Sequence, residues 1–283
     1  MKRDCTYHPA IVAPHGPNHE ETCMDIADIA RKARTFDAHL GKIKNDLAPT
    51  EFGWYPYGTL TNFQHLDRLL TGANRDLLAL ADGAPVADIG AADGDSAFFL
   101  ETFGCDAHVV DNAPTNFNSC RGVRLLKEAL ESNVAIHEVD LDARFDLPGE
   151  KYGLALFLGI LYHLKNPYNA LESLARNARH VLLSTRITRF NRPSRGKGHG
   201  ELNRERVDLH AVPAAYLVAP DETNNDATNF WIFSEAGLRR LIDRTGWDVL
   251  DFMTVGNTRD SDPASNEGDE RAFCLLRSRQ LAA

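Results

Sequence analysis

From Val86 to Thr185 short apolar runs and helical stretches take turns along the chain, and this alternation narrows the possible folds more than any other feature. VADIG, AHVVD, VAIHEVD, YGLALFLGIL and HVLLST read as buried strands. The segments between them carry apolar residues at helical spacing: Ser96 to Phe103, RLLKEALES and NALESLARNA. Strands interleaved with helices predict βαβ units and a mostly parallel sheet with helices on both faces. The rhythm breaks between residues 186 and 229, a stretch rich in Arg, Asn, Gly and Pro, which predicts a lid inserted into the domain. It resumes with the helix SEAGLRRLIDRTG, the strand WDVLDFMTV, an acidic loop and the strand RAFCLLRS, which together predict a terminal antiparallel hairpin.

Ahead of the sheet, residues 1 to about 22 show little periodicity and read as a loosely packed arm. A helix is predicted over Met24 to Leu47, where Ile26, Ile29, Ala30, Ala33, Phe36, Leu40 and Ile43 fall on one face. After the aromatic turn EFGWYPYG, Thr61 is expected to cap a second helix, and a short third helix is expected from Asn74 to Ala81. The expected division is therefore 1–83 for the arm and helical extension, and 84–283 for the α/β domain with its lid at about 186–229.

The chemistry concentrates where the first strand meets the first helix, at VADIGAADGD. Gly90 allows a tight turn, and Gly94 lets the helix start close to the sheet. Ligands of open α/β sheets bind at the carboxyl ends of the strands. A dinucleotide would want G-x-G-x-x-G with its pyrophosphate on the helix N-terminus. Here the turn is G-A-A-D-G, and Asp88, Asp93 and Asp95 would repel a pyrophosphate. A cationic sulfonium with an amino-acid group would be welcome, so S-adenosylmethionine is the expected cofactor and S-adenosylhomocysteine its product. Asp111, ending the second strand, is placed to accept from ribose hydroxyls. Asp140 after the third strand is placed to accept from the adenine amino group, with Leu141 beside it. Ala91, Leu158, Gly159 and Trp54 complete the expected cofactor lining. Trp54 and Tyr57 have two open roles, closing over the cofactor or filling the gap between arm and sheet.

These residues, VADIGAADGD, VVD, EVDLD and ALFLGILYHLKNP, resemble the class I S-adenosylmethionine-dependent methyltransferases over roughly residues 50 to 278. Within that superfamily, WYPYGTLTNFQHL, LGILYHLKNP, NFWIFSEAGLRRLIDRTGW and DERAFCLLRS look like the branch of the tRNA wobble-uridine carboxymethyltransferases. The resemblance implies a Rossmann-like, doubly wound sheet of seven strands with the last one antiparallel. In the carboxymethyl-transferring relatives a lysine, a tyrosine and an arginine hold the carboxylate of carboxy-S-adenosylmethionine. Tyr162 and Arg271 match two of these, while EFGWYPYG replaces the segment that carries the lysine. Plain methyl transfer is favoured on that ground.

His163 and Tyr162, just past the fourth strand, are the catalytic candidates. His163 is a general base or a cap on turn backbone. Tyr162, Tyr216, Asn224, Asn229 and Arg271 are the substrate-binding candidates. The basic residues Arg186, Arg189, Arg192, Arg195, Lys197, Arg204 and Arg206 would grip an anion or remain a solvated loop. Cys5, His8, His15, His19 and Cys23 fit no structural zinc spacing, so no metal is expected.

A formal charge of −9 disfavours general nucleic-acid binding. Neither a signal peptide nor a membrane span is legible, and five scattered cysteines fit a reducing compartment, so a cytoplasmic location is expected. The leading expectation is methyl transfer to an oxygen or nitrogen of a small polar metabolite. The alternatives are a tRNA wobble-uridine methyl- or carboxymethyltransferase, and a non-catalytic module that keeps the cofactor pocket. Association into a homo-oligomer fits all three.

Overall fold

The structure is a computed structural model that describes residues 24–143, 147–149, 151–191, 206–223, 225–262 and 268–281. Five strands run parallel: β1 (Val86–Ile89), β2 (Ala107–Asp111), β3 (Ala135–Glu138), β4 (Tyr152–Leu158) and β5 (Ala178–Thr188). Every residue of β1 is buried, as are six of the seven in β4. That is why these strands read as continuous apolar runs rather than alternating ones.

Past β5 come a two-stranded ribbon, β6 (Phe190–Asn191) with β7 (Val207–Asp208), and then β8 (Ala215–Leu217) and β9 (Trp231–Ser234). The last pair is β10 (Trp247–Gly256) and β11 (Glu270–Ser278). The main sheet runs β10-β11-β5-β4-β1-β2-β3, with β11 antiparallel to both neighbours. The seven strands and the reversed last strand are as expected. Two further strands extend the sheet: β9, just past the lid, pairs in parallel with Ile187 and Thr188 of β5, and β8, within the lid, pairs with β9. β5 thus continues through Thr188, three residues into the stretch that sequence assigns to the lid.

Helices α1 (Ile26–Leu47), α2 (Asn62–Leu69), α3 (Asp95–Glu101), α4 (Arg121–Ala129), α5 (Pro167–Asn177) and α6 (Glu235–Arg244) complete the fold. Two apolar clusters fill its faces. One joins α1, α2 and α3 to Leu154, Leu156, Leu182, Phe273 and Leu275. The other joins α5 and α6 to Ala155, Phe157, Leu183, Cys274 and Leu276. Alternate residues of β4, β5 and β11 divide between the two clusters, as the pleat requires. Local signals start the helices. The Asp25 side chain accepts from the Ala27 N–H at 2.8 Å, and Ser234 Oγ accepts from the Gly237 N–H at 2.9 Å.

Two local expectations fail. Thr61 does not cap α2, because its hydroxyl turns back and donates to the Gly58 carbonyl at 2.6 Å. Residues 74–81 do not form an α-helix. A 3-10 turn over Gly72–Arg75 gives way to successive turns, and Asp76 bridges to Asp25 in antiparallel fashion. Arg75 explains the change. Its guanidinium donates to Asp25 at 2.6 and 2.7 Å and to Asp67 at 2.7 Å, pinning this segment to the start of α1. Among the described residues no helix is long and apolar enough to cross a membrane.

Candidate active site at the carboxyl ends of β1, β2 and β4

The turn from β1 to α3 holds two positive-φ glycines, Gly90 at +67° and Gly94 at +82°. A Cβ on Gly94 would sit 2.7 Å from Val123 Cγ2, so this glycine packs the helix start against α4. A Cβ on Gly90 would sit 2.2 Å from Ile160 Cδ1. The close neighbour that Gly90 accommodates is therefore the side chain that follows β4. Ala91, between the two glycines, is buried in the first cluster.

Asp111 ends β2 beneath this turn. Its carboxylate accepts from the N–H groups of Ala92 (3.0 Å) and Asn112 (2.7 Å) and from Asn116 Nδ2 (2.9 Å). It thereby ties the turn, its own strand end and the following loop into one frame. Three of its roughly four acceptor sites are used within the protein. Burial nonetheless holds the Asp111 carboxyl above the usual range.

Asp88 is buried in β1. Desolvation, reinforced by the nearby Asp111 and opposed by a hydrogen bond from the Ala97 N–H, pushes it up to about 7. In the unfolded chain the same carboxyl titrates near 3.8. Between those values the folded protein holds a proton that the unfolded chain has lost. The contribution of Asp88 to stability therefore falls as pH rises from about 4 to about 7. Asp88→Asn keeps an acceptor for Ala97. Its stability relative to wild type should climb through that range, by on the order of 3 kcal/mol, and level off above it. Urea midpoints at pH 4.5 and pH 8 check this, and an equal difference at both pH values would refute it.

Asp93 and Asp95 do not confront a ligand. Lys44, one turn from the end of α1, places its ammonium 3.1 Å from Asp93 and 2.9 Å from Asp95. Asp93 also accepts from the Tyr55 N–H at 2.9 Å and from Asn118 Nδ2 at 2.8 Å. The electrostatic ground for rejecting a pyrophosphate is therefore corrected: two of the three carboxylates are matched by a lysine from the N-terminal extension. Trp54 belongs to the same clasp. Its indole N–H donates to the Lys44 carbonyl at 3.0 Å, and the ring packs against the first cluster. It thus fills the gap between extension and sheet, whereas Tyr57 is 72% exposed.

Asp140 lies beyond β3 and is exposed, with Oδ1 accepting from the Asp142 and Ala143 N–H groups. Leu141 is buried in the second cluster, and Leu158 packs against the first. Gly159 ends β4 at φ +80°. The nearest atoms to a Cβ there would be Tyr162 Oη at 3.8 Å and Arg271 Nη1 at 3.9 Å.

A 3-10 turn over Leu161–His163 carries the catalytic candidates. The lid is stitched onto this turn. The Phe230 N–H donates to the Tyr162 carbonyl at 2.9 Å, and the Trp231 indole N–H donates to the Lys165 carbonyl at 3.2 Å. His163 Nδ1 lies 3.1 Å from the Thr228 carbonyl oxygen and 3.0 Å from its hydroxyl. Burial holds the imidazole below its ordinary value. A neutral ring that donates from Nδ1 to the Thr228 carbonyl leaves Nε2 as an acceptor.

The remaining candidates scatter. The Tyr216 hydroxyl donates to Glu222 at 2.7 Å, within the lid. Asn229 is buried, with Nδ2 donating to the Thr223 carbonyl at 3.0 Å. Asn224 lies outside the described residues, as do Arg192, Arg195, Lys197, Arg204, Cys5, His8, His15, His19 and Cys23. Among the described residues no cluster suits a metal ion. The described arginines of the basic stretch meet carboxylates: Arg186 with Asp269, Arg189 with Glu270 and Glu235, and Arg206 with Asp260.

Lys44, Tyr55, Asn116, Asn118 and Arg186 are the members of this centre that motif spacing does not reveal. Lys44 lies 49 residues from Asp93, on a helix whose apolar stripe says nothing about its polar partners. Arg186 was visible only as part of a basic stretch.

A family model described as a methyltransferase domain matches residues 63–251. No curated protein matches the chain. Among solved structures, the N-terminal domain of EvdMO1 with S-adenosylhomocysteine bound is 16% identical, at a TM-score of 0.48 over 90% of this chain and 97% of that one. TehB from Haemophilus influenzae is 16% identical, at 0.47 over 74% and 62%. The CcbJ methyltransferase from Streptomyces caelestis is 14% identical, at 0.43 over 71% and 86%.

Proposed function

We propose that this chain, which belongs to the methyltransferase-domain family, is an S-adenosylmethionine-dependent methyltransferase that moves the donor's methyl group to an oxygen or nitrogen of a small polar metabolite. The observation that carries this reading is the convergence of Tyr162 and Arg271 over Gly159, with His163 beside them, at the strand ends where a donor on the β1–α3 turn would present its methyl group.

The residues present fit such a donor. Asp111 would accept from the ribose hydroxyls, with Asp88, Gly90, Ala91 and Gly94 in and under the turn, and Asp140, Leu141, Leu158 and Gly159 at the ends of neighbouring strands. When bound, the sulfonium supplies an already activated methyl carbon. The protein's task is then to align the acceptor in line with it and to exclude water. His163 Nε2 would take the acceptor's proton where one must leave. Tyr162 and Arg271 would orient the acceptor. Tyr216 and Asn229 act within the lid, as supports for its shape.

Transfer of a methyl or carboxymethyl group to a wobble uridine of tRNA, from S-adenosylmethionine or carboxy-S-adenosylmethionine, is the second reading. Tyr162 and Arg271 lying side by side supports it. The internal pairing of Arg186, Arg189 and Arg206, and the charge of −9, favour the small acceptor.

Incubation with S-adenosylmethionine and, separately, with carboxy-S-adenosylmethionine, each labelled at the transferred carbon, against both a small-molecule extract and total tRNA, separates the two. Label is expected in the small-molecule fraction. Label confined to tRNA would contradict the proposal.

A further inference from the structure

Arg271 and Arg186 are direct register partners on β11 and β5, so their side chains leave the sheet on one face. Asp269 lies between them. Its Oδ1 accepts from Arg186 Nε at 2.7 Å, and its Oδ2 lies 3.6 Å from Arg271 Nε. Asp269 therefore engages Arg271 only at long range and at the inner nitrogen. The outer edge of the guanidinium, Nη1, is one of the two nearest groups to the space above Gly159. The other carboxylate of this region, Asp226, turns its Oδ1 to the N–H and hydroxyl of Thr228 at 2.9 and 2.6 Å. A planar fork held at its inner nitrogen by Asp269, with the Tyr162 hydroxyl beside it, is an arrangement that takes an oxyanion in two parallel hydrogen bonds.

A second feature borders the same space. Tyr57 is 72% exposed and Phe117 58% exposed, an unusual state for large rings. They come from separate segments, the turn before α2 and the loop after β2. Both meet Tyr55 edge to face, with ring centroids at 5.4 and 5.8 Å. The Tyr55 hydroxyl is within electrostatic reach of Tyr162 and Arg271, and its backbone N–H is tied to Asp93 of the cofactor turn. The three rings form an aromatic lip tied to the β1–α3 turn.

Resting on the methyl-transfer reading, we propose that the acceptor is an anionic ring compound, its carboxylate or phosphate gripped by Arg271 and its ring laid against the lip of Tyr55, Tyr57 and Phe117. Stacking supplies apolar contact without demanding a particular ring, and the guanidinium supplies selectivity for charge.

Benzoate, phenyl phosphate and benzyl alcohol test this by titration into protein saturated with S-adenosylhomocysteine. At least one of the two anions should bind tenfold or more tightly than benzyl alcohol, and which of them does so identifies the anionic group. Arg271→Gln should abolish that preference while S-adenosylhomocysteine affinity stays unchanged. Tyr57→Ala with Phe117→Ala, at positions too exposed to unfold the protein, should weaken the anion and the alcohol alike, tenfold or more. Equal binding of anions and alcohol by wild type would overturn the proposal, as would an unchanged preference in Arg271→Gln. Because S-adenosylhomocysteine binding is measured first and separately, a failed donor site shows itself apart from a failed acceptor site.

Discussion

Replacing Lys44 by Met should lower the stability of the folded protein at pH 7 by about 3 kcal/mol. The Asp93 side chain is 1% exposed and that of Asp95 is 8%, and Lys44 is the cation between them. Removing a cation from such a group leaves two near neighbours of like charge out of water. The loss exceeds that of an exposed ion pair, which is worth at most about 1 kcal/mol. Burial and Asp93 already hold the Asp95 carboxyl above its ordinary range, with Lys44 opposing them. Without Lys44 the Asp95 carboxyl rises further, and the variant can restore neutrality only by taking up protons. The stability difference should therefore be largest at neutral pH and shrink toward pH 4. Restoring a match by Asp95→Asn in the Lys44→Met background should recover part of the loss. Denaturant midpoints of the three proteins at pH 4.5 and pH 7.5 check this. Equal stability of wild type and Lys44→Met at neutral pH would show that the clasp contributes nothing.

Asp111→Ala should weaken S-adenosylhomocysteine binding by about 10- to 100-fold. A hydrogen bond to an ionised group is worth about 1.5–3 kcal/mol, and each 1.4 kcal/mol is a factor of ten. The substitution removes the proposed ribose contact. It also strands the donors that Asp111 now satisfies, on Ala92, Asn112 and Asn116. Asp111→Asn separates these effects. Its amide keeps one acceptor oxygen for the turn but offers half the acceptor capacity and no charge, so it should fold close to wild type and still lose affinity. An unchanged dissociation constant in both variants would remove Asp111 from the cofactor site.

The sheet was legible because its signal is local. YGLALFL is apolar throughout, and VADI is so but for Asp88, since both faces of each strand are covered; their alternation with helices marks the sheet as mostly parallel. The failures are equally local in origin but distant in cause. Nothing near Asn74 announces that Arg75 will reach Asp25 and Asp67 and hold the segment in turns. At the site, Gly90, Gly94 and Asp111 could be picked out by position along one βαβ unit. The partners of the turn could not. Lys44, Tyr55 and Asn118 reach Asp93 from three different elements, and their side chains meet only once the extension has packed on the sheet. Three aspartates within one motif read as an unmatched negative patch for the same reason: the cation that lies opposite them comes from a distant helix. His163 was left between two roles by sequence, and the Thr228 contact explains why, since one ring nitrogen serves the lid while the other stays available.

Calorimetric titration of the wild-type protein with S-adenosylhomocysteine tests the central claim most directly. One molecule should bind per chain, with an affinity that falls in Asp111→Ala. A wild-type protein that shows no heat of binding, at concentrations where its fold is intact, would contradict the assignment of the β1–α3 turn to a methyl-donor site.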